Sequence, residues 1–528
     1  MRRALLLLAL LAAPTPALAG GLFTPDVGTI ALGRGGAWTA RASDITGALH
    51  YNPAGLWQID GWTASGGVNL HRTSRTFQRA DGVNGAFPLT RSEPHLRPIP
   101  EVGLAWGLPH PDLTIALGLY APPAPIQRFD PDGPGRYRLI DQELIQGNIA
   151  LAVALRPVPW LSFGGSFQLL YLKLTESFKA SADVLATGES TNPEDPDWDV
   201  LASFSAQQVR PWFNLGVMIM PLPWLRFGVS VDPPYRFKGA GRATLSGVIG
   251  AESTTLDLLG DGPLFVVGAD EDVTVHGGLP GHLRFGVDLE PIEDVLMFGL
   301  DLHVEFWNGS GDLSTDEVAI DLYYDNPDDD LGPEPLVDYL YRVGLCPIAS
   351  GLGVDCGDED SAPPGSGSGL ATYAGEGGSG RVVVPASYRN TWSIRAGAEV
   401  RPLPLLALRA GWMYEAPAIP DETMTLTMHD GHKVMASGGV SLLLGANAPS
   451  ARSLVEVHIT YAHTFYADRN IASGVPANGG LALEGVPSNE VDAGTYTAAV
   501  NQLGINVAVH LGAIGKRVAQ HKDEPDES

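Results

Sequence analysis

The sequence predicts an all-β protein, a 14-stranded antiparallel transmembrane β-barrel with an N-terminal hatch in its lumen. Three observations predict it. A secretory leader opens the chain, and no later run of 18 apolar residues could cross a membrane as a helix. From residue 61 the chain alternates apolar and polar positions in runs about twice the length of a soluble strand. Between the two lies a Gly/Ala-rich segment, GTIALGRGGAWTARASDITGALHYNPAGL at 28–56, too irregular in period for an ordinary strand or helix.

The leader is read over residues 1–19. Arg2 and Arg3 form a basic start, Ala4 to Ala13 a short apolar core, and Ala17-Leu18-Ala19 a small-x-small cleavage site. Its destination is the periplasm, the outer membrane or the exterior. The balance of 33 Lys and Arg against 60 Asp and Glu gives a formal charge of −27. So acidic a chain argues against nucleic acid as a partner. Much of the excess sits in 308–388, which holds fifteen Asp and Glu against Arg342 and Arg381. That density reads as a solvated external loop. Cys346 and Cys356 lie in the same segment and, in an oxidising compartment, are expected to form a local disulfide.

The hatch is expected over 20–60. Small residues let it thread a narrow lumen, and Arg34, Arg41 and Asp44 can pair with inward-facing strand positions. Asn52-Pro53-Ala54 is expected to build a turn, with Asn bonding the local backbone and Pro fixing φ.

The barrel is expected over 61–512. In Leu296–Phe306 the residues Leu296, Phe298, Leu300, Leu302, Val304 and Phe306 oppose Gly299, Asp301, His303 and Glu305. One face is apolar and the other polar, which suits strands tilted across a bilayer. Strands are placed near 61–72, 98–108, 112–121, 142–157, 160–178, 203–220, 224–237, 281–291, 294–307, 389–402, 404–416, 434–446, 452–466 and 495–512. Arg156-Pro-Val-Pro-Trp-Leu, Met220-Pro-Leu-Pro-Trp-Leu, Arg401-Pro-Leu-Pro-Leu-Leu and Glu290-Pro-Ile-Glu-Asp-Val end one run and start the next, because proline cannot donate to a ladder. Trp160 and Trp224 then fall where a strand enters the membrane. Tight turns alternate with long loops, among them 238–280 and 308–388, and a charged tail covers 513–528.

The Gly-Arg-Gly-Gly-Ala run at 33–37, Ala42-Ser43-Asp44 and Tyr51-Asn52-Pro53-Ala54-Gly55-Leu56 carry a resemblance to the FadL family of outer-membrane transporters. Leu119–Tyr137, the YRNTWSI run at 388–394 and Tyr414-Glu415-Ala416-Pro417 extend it over the mature chain, with 308–388 as an insertion. The resemblance implies passive uptake of long-chain fatty acids or other hydrophobic small molecules, captured by external loops, admitted past the hatch and released sideways into the membrane. It implies no cofactor. Outer-membrane lipid and lipopolysaccharide are the expected surroundings, and a monomer the expected state. A polar-solute porin and a structural or adhesive surface barrel are the alternatives.

Candidate residues follow from position. The inner face is expected to present Arg226, Asp232, Arg284, Asp288, Glu290, Asp301, His303, Glu305, Arg395, Glu399, Arg409, Glu415, Glu456 and His458. These hold the hatch, and an arginine such as Arg395 or Arg409 could also meet a ligand carboxylate. Leu259, Leu264 and Phe265 in the apolar stretch 256–268 are candidates for ligand capture. Gly118, Pro122 and Pro123 interrupt the third strand, either as a plain exit from strand to loop or as a candidate lateral opening. The acidic run Asp325–Asp330 lacks EF-hand spacing, so no metal site is assigned. There is no nucleophile elbow, zinc-protease motif or phosphate loop, and Asp301, His303 and Glu305 alternate along one strand without a nucleophile, so no enzyme is expected.

Overall fold

The computed structural model of the protein describes residues 26–80, 86–108, 112–181, 196, 199–249, 264–310, 313–317, 321–325, 334–335, 381–384, 387–446, 453–472 and 491–511. Fourteen strands form a closed antiparallel ring. They are β1 Gly61–Arg79, β2 Arg97–Leu108, β3 Leu113–Tyr120, β4 Asp141–Val158, β5 Leu161–Ser181, β6 Asp199–Leu222 and β7 Leu225–Asp232. The second half is β8 Gly281–Ile292, β9 Leu296–Phe306, β10 Thr391–Leu403, β11 Leu406–Glu415, β12 Lys433–Leu444, β13 Val455–Tyr466 and β14 Gly494–His510. Each pairs with its chain neighbour, and β14 closes on β1 from Thr63↔His510 to Arg79↔Gly494. A closed ring leaves no unpaired edge for lipid to meet.

Alternation sorts the side chains. In β4, Ile149, Leu151, Val153 and Leu155 are exposed while Ala150, Ala152 and Ala154 are buried. Exposed Leu, Ile, Val and Phe recur on this outer face around the ring, which in water would be an aggregating surface and in a bilayer is the solvated one. Trp160 and Trp224 stand exposed at the turns, and Trp62 stacks on Trp106 with centroids 5.2 Å apart at the same end. That row of indoles marks one membrane boundary.

The Pro-containing turns share one geometry. Pairing slips by a bulge just before the turn in β4–β5 (Leu155/Val158), β6–β7 (Ile219/Leu222), β8–β9 (Leu289/Ile292) and β10–β11 (Val400/Leu403). The missing proline donor explains the slip.

Two regions differ from the sequence expectation. The segment 238–280, expected as a loop, extends β7 and β8 beyond Pro233-Pro234 and Pro280 as a hairpin, Tyr235–Ile249 paired with Leu264–Leu279. Its alternation is weakened by Gly and acidic residues, which hid it. Ends of the acidic segment add to this hairpin, since Leu313–Glu317 and Asp321–Asp325 both pair with its second strand. Cys346, Cys356, Leu259, the leader 1–19 and the tail 513–528 lie outside the described residues.

The wall is thin at one place. β3 pairs with β2 only up to Val102↔Leu119 and with β4 only up to Tyr120↔Asn148. Beyond them, Arg97–Glu101 of β2 are paired on the β1 side alone. Residues 121–125, Ala-Pro-Pro-Ala-Pro, fill the interval without forming a strand. Arg97 crosses it, donating to the carbonyls of Ala124 (2.9 Å) and Leu144 (3.0 Å).

Leu151 lies within the outer apolar face between Leu117 and Phe167. Leu151→Arg is expected to destabilise the barrel by about 2–4 kcal/mol, measured as a shift of the denaturant midpoint for folding into lipid vesicles. An unchanged midpoint would mean that this face does not meet lipid.

Candidate functional site

The N-terminal segment makes little regular structure of its own. Helix α1, Thr29–Gly33, and helix α2, Ile45–His50, are each under two turns, and Pro53–Gln58 is a 3₁₀ turn. Such short elements are unstable alone, so packing must hold them. Asp44 caps α2, accepting from the Gly47 amide at 2.8 Å, and also accepts from Trp38 Nε1 at 2.7 Å. Both of these bonds stay within the segment, whereas the sequence suggested a partner on the wall. An N-cap carboxylate bonded to its own helix is already satisfied.

Arg34 and Arg41 do reach the wall. Arg34 donates to Asp288 Oδ2 at 2.7 Å, while Arg41 donates to Asp288 Oδ1 at 3.0 Å and to Glu290 Oε2 at 2.6 Å. Arg226 of β7 meets the same Glu290 oxygen at 3.0 Å. Asp301 of β9 accepts from two successive backbone amides, Trp38 (2.9 Å) and Thr39 (2.8 Å). With Arg34, Asp288 and Asp301 almost wholly buried, these bonds form in a medium where an unpaired charge is costly.

Asn52 is fully buried and uses both ends of its amide. Its oxygen accepts from Ala54 N (3.1 Å), which starts the 3₁₀ turn with Pro53 in first position. Its nitrogen donates to the carbonyls of Thr39 (2.8 Å) and Val217 (3.2 Å), joining two parts of the segment to β6. The wall opposite is glycine. A Cβ on Gly216 would stand 1.9 Å from Asn52 Oδ1, and one on Gly411 would stand 2.0 Å from the Gly35 amide. Gly35 and Gly36 themselves hold φ of +65° and +74°, which favours glycine.

A second chain of ions runs along β10–β12. Arg395 is bound to Asp26 and lies 3.6 Å from Glu415, whose other oxygen accepts from Lys433 at 2.7 Å. Lys433 lies 3.4 Å from Asp430 in the loop before β12. Burial pushes the Asp430 carboxyl up to about 6, with Lys433 pulling the other way. Arg409 is bound to Glu399 at 2.7 Å and to Ser441. Arg395 and Arg409 thus already have carboxylate partners. Leu264 and Phe265 lie in the outer hairpin, paired with Asp325 and with Ile249 and Tyr324. Gly118 is in register with Gly103 and Ala150, so the break in pairing falls after Tyr120, at Pro122 and Pro123.

A cavity lies beside this segment, lined by His50, Pro122, Gln146, Asn148, Trp212, Leu279, Pro280, His282, Glu305 and Trp307. Pro122 belongs to the stretch that fills the thin part of the wall. Sequence reasoning missed most of the neutral wall contacts. Ser162 donates to Ala54 O at 2.9 Å, Asn214 to His50 O at 2.9 Å and Ser230 to Tyr51 O. A signal existed: each stands two residues from an inward glycine (Gly164, Gly216, Gly228) that the segment approaches closely, by its backbone at Gly164 and Gly228 and by the Asn52 side chain at Gly216.

Residues 10–464 match the family described as Outer membrane protein transport protein (OMPP1/FadL/TodX). Among solved structures, the chain is similar to a Pseudomonas aeruginosa FadL homologue, with TM-score 0.65 and 14% identity over 93% of this chain and 100% of that one. It is also similar to the P. putida toluene transporter TodX (TM-score 0.56, 14% identity, 94% and 99% covered). The Ralstonia pickettii toluene transporter TbuX gives TM-score 0.53 at 14% identity, with 92% and 98% covered. At this identity the structural likenesses speak for the fold. No curated protein matches the sequence. With a family match over most of its length and a closed ring of fourteen strands, the chain belongs to the OMPP1/FadL/TodX family and is an outer-membrane β-barrel transporter of the FadL type for hydrophobic compounds.

Proposed function

We propose that the chain takes up hydrophobic small molecules passively, with residues 20–60 as a hatch that external ligand must pass and the wall beside Pro122 and Pro123 as a lateral exit. The observation that carries this reading is the cavity. Pro122, Trp212, Leu279, Pro280 and Trp307 give it an apolar wall, His50 brings it to the N-terminal segment, and Pro122 with Gln146 brings it to the break between β2 and β4. A ligand leaving there stays out of water and keeps about 0.8 kcal/mol for each buried CH₂. No energy source is needed if consumption inside the cell drains the gradient.

Long-chain fatty acids and aromatic hydrocarbons both belong to this class. Leu259, Leu264 and Phe265 are proposed for external capture. Contact of ligand with Arg395 requires exchange of Asp26, which couples binding to movement of the segment, and contact with Arg409 requires exchange of Glu399 on the wall. The chain is proposed to act as a monomer among outer-membrane lipid and lipopolysaccharide.

Three outcomes test the reading. Asn52→Ala removes three hydrogen bonds, each worth about 1 kcal/mol or more when the partner stays buried. It is expected to change the uptake rate of hydrophobic substrate several-fold while the barrel still assembles, and unchanged uptake would remove Asn52 from the gate. Liposomes carrying the intact protein are expected to swell slowly in small sugars, whereas rapid swelling would favour an open porin. Deletion of 308–388 is expected to leave transport within about twofold, and its loss would assign that segment a transport role.

A further inference from the structure

The cavity has one carboxyl group on its wall and no Arg or Lys among the described lining residues. Glu305 of β9 faces it, and its Oε2 accepts from Trp307 Nε1 at 2.7 Å. Across the ladder Glu305 is in register with His282, and His282 with Asp232, so carboxylate, imidazole and carboxylate stand at one level of the wall. His282 Nδ1 lies 2.5 Å from Asp232 Oδ2, and Arg284, the nearest guanidinium along β8, is bound to the same Asp232. Both His282 and Arg284 are turned to Asp232. Among the described lining residues there is no Arg or Lys, and the remaining polar groups are His50, Gln146 and Asn148. Glu305 thus places a carboxylate on a largely apolar wall, with the Trp307 indole donating to it.

We infer that Glu305 sets the head-group preference of this cavity, favouring uncharged hydrophobic molecules, with an alcohol or phenol hydroxyl able to donate to it, over carboxylates. The inference deepens the proposed function and rests on its assignment of the cavity to ligand. Two carboxylates a few ångströms apart repel strongly where water is scarce, whereas a hydroxyl donating to Glu305 gains a charge-assisted bond. The ions that would neutralise a fatty-acid head, Arg395 and Arg409, are held elsewhere by Asp26, Glu415 and Glu399.

The test compares radiolabelled 1-octanol and octanoate binding to the full chain in nanodiscs at pH 8, corrected with empty discs. The native protein is expected to bind 1-octanol at least about tenfold more tightly than octanoate. Glu305→Gln preserves size and can still accept from Trp307. It is expected to raise the octanoate-to-octanol affinity ratio at least about tenfold, with folding checked by heat-modifiable migration on gels. Equal binding of the two ligands to native protein would overturn the inference and leave hydrophobic uptake standing. An unchanged ratio in Glu305→Gln, with both affinities moving together, would assign Glu305 a structural role and overturn it as well. If neither ligand binds the native protein while uptake persists, the cavity is not the ligand site and the inference falls with that assignment.

Discussion

A closed ring of strands forces a choice at every residue, since one side chain faces lipid and the next faces the lumen. The lipid side is settled by hydrophobicity, but polar groups on the lumen side must find partners where water is scarce. Asp288 shows the consequence. Buried on β8, it accepts from Arg34 and Arg41, two cations that follow α1 in a segment with almost no structure of its own. Removing one partner of such a buried set costs on the order of 3–5 kcal/mol. The wall therefore shapes the segment, and the segment neutralises the wall.

The same exchange explains the glycines. Where the segment's carbonyls and amides approach, the wall presents no Cβ, as at Gly216 beneath Asn52 and Gly411 beneath Gly35. Polar side chains two positions from such glycines bond the backbone brought so near, as Ser162 beside Gly164 does with Ala54. Small residues give access and polar ones give direction. Neither works without the period of two that places both on one face.

Much of the ring was legible because alternation is a long-range, repeated signal. Leu296–Phe306 could be read directly, and the Pro-containing turns punctuated it. The outer hairpin was not legible, since Gly239, Gly241 and the acidic stretch at 270–272 break the apolar rhythm that marks a strand in lipid. At the site, the positions of the ions could be read from their inward parity, but pairings could not. Arg34 meets a residue 254 positions away, and Asp44 turns back to its own helix. Parity says which way a side chain faces and nothing of which distant segment faces it.

The reach of the N-terminal segment also orders events in time. Thr29 bonds Glu101 of β2 at 3.0 Å and, through its carbonyl, Thr460 of β13 at 2.8 Å, while Glu101 accepts from Asn506 of β14 at 2.6 Å. These partners come together only when the ring has closed, across more than 400 residues of chain. Contacts of such separation carry the largest loop-closure cost and cannot nucleate folding. The residues made first are thus seated last, and their seat records that closure is complete.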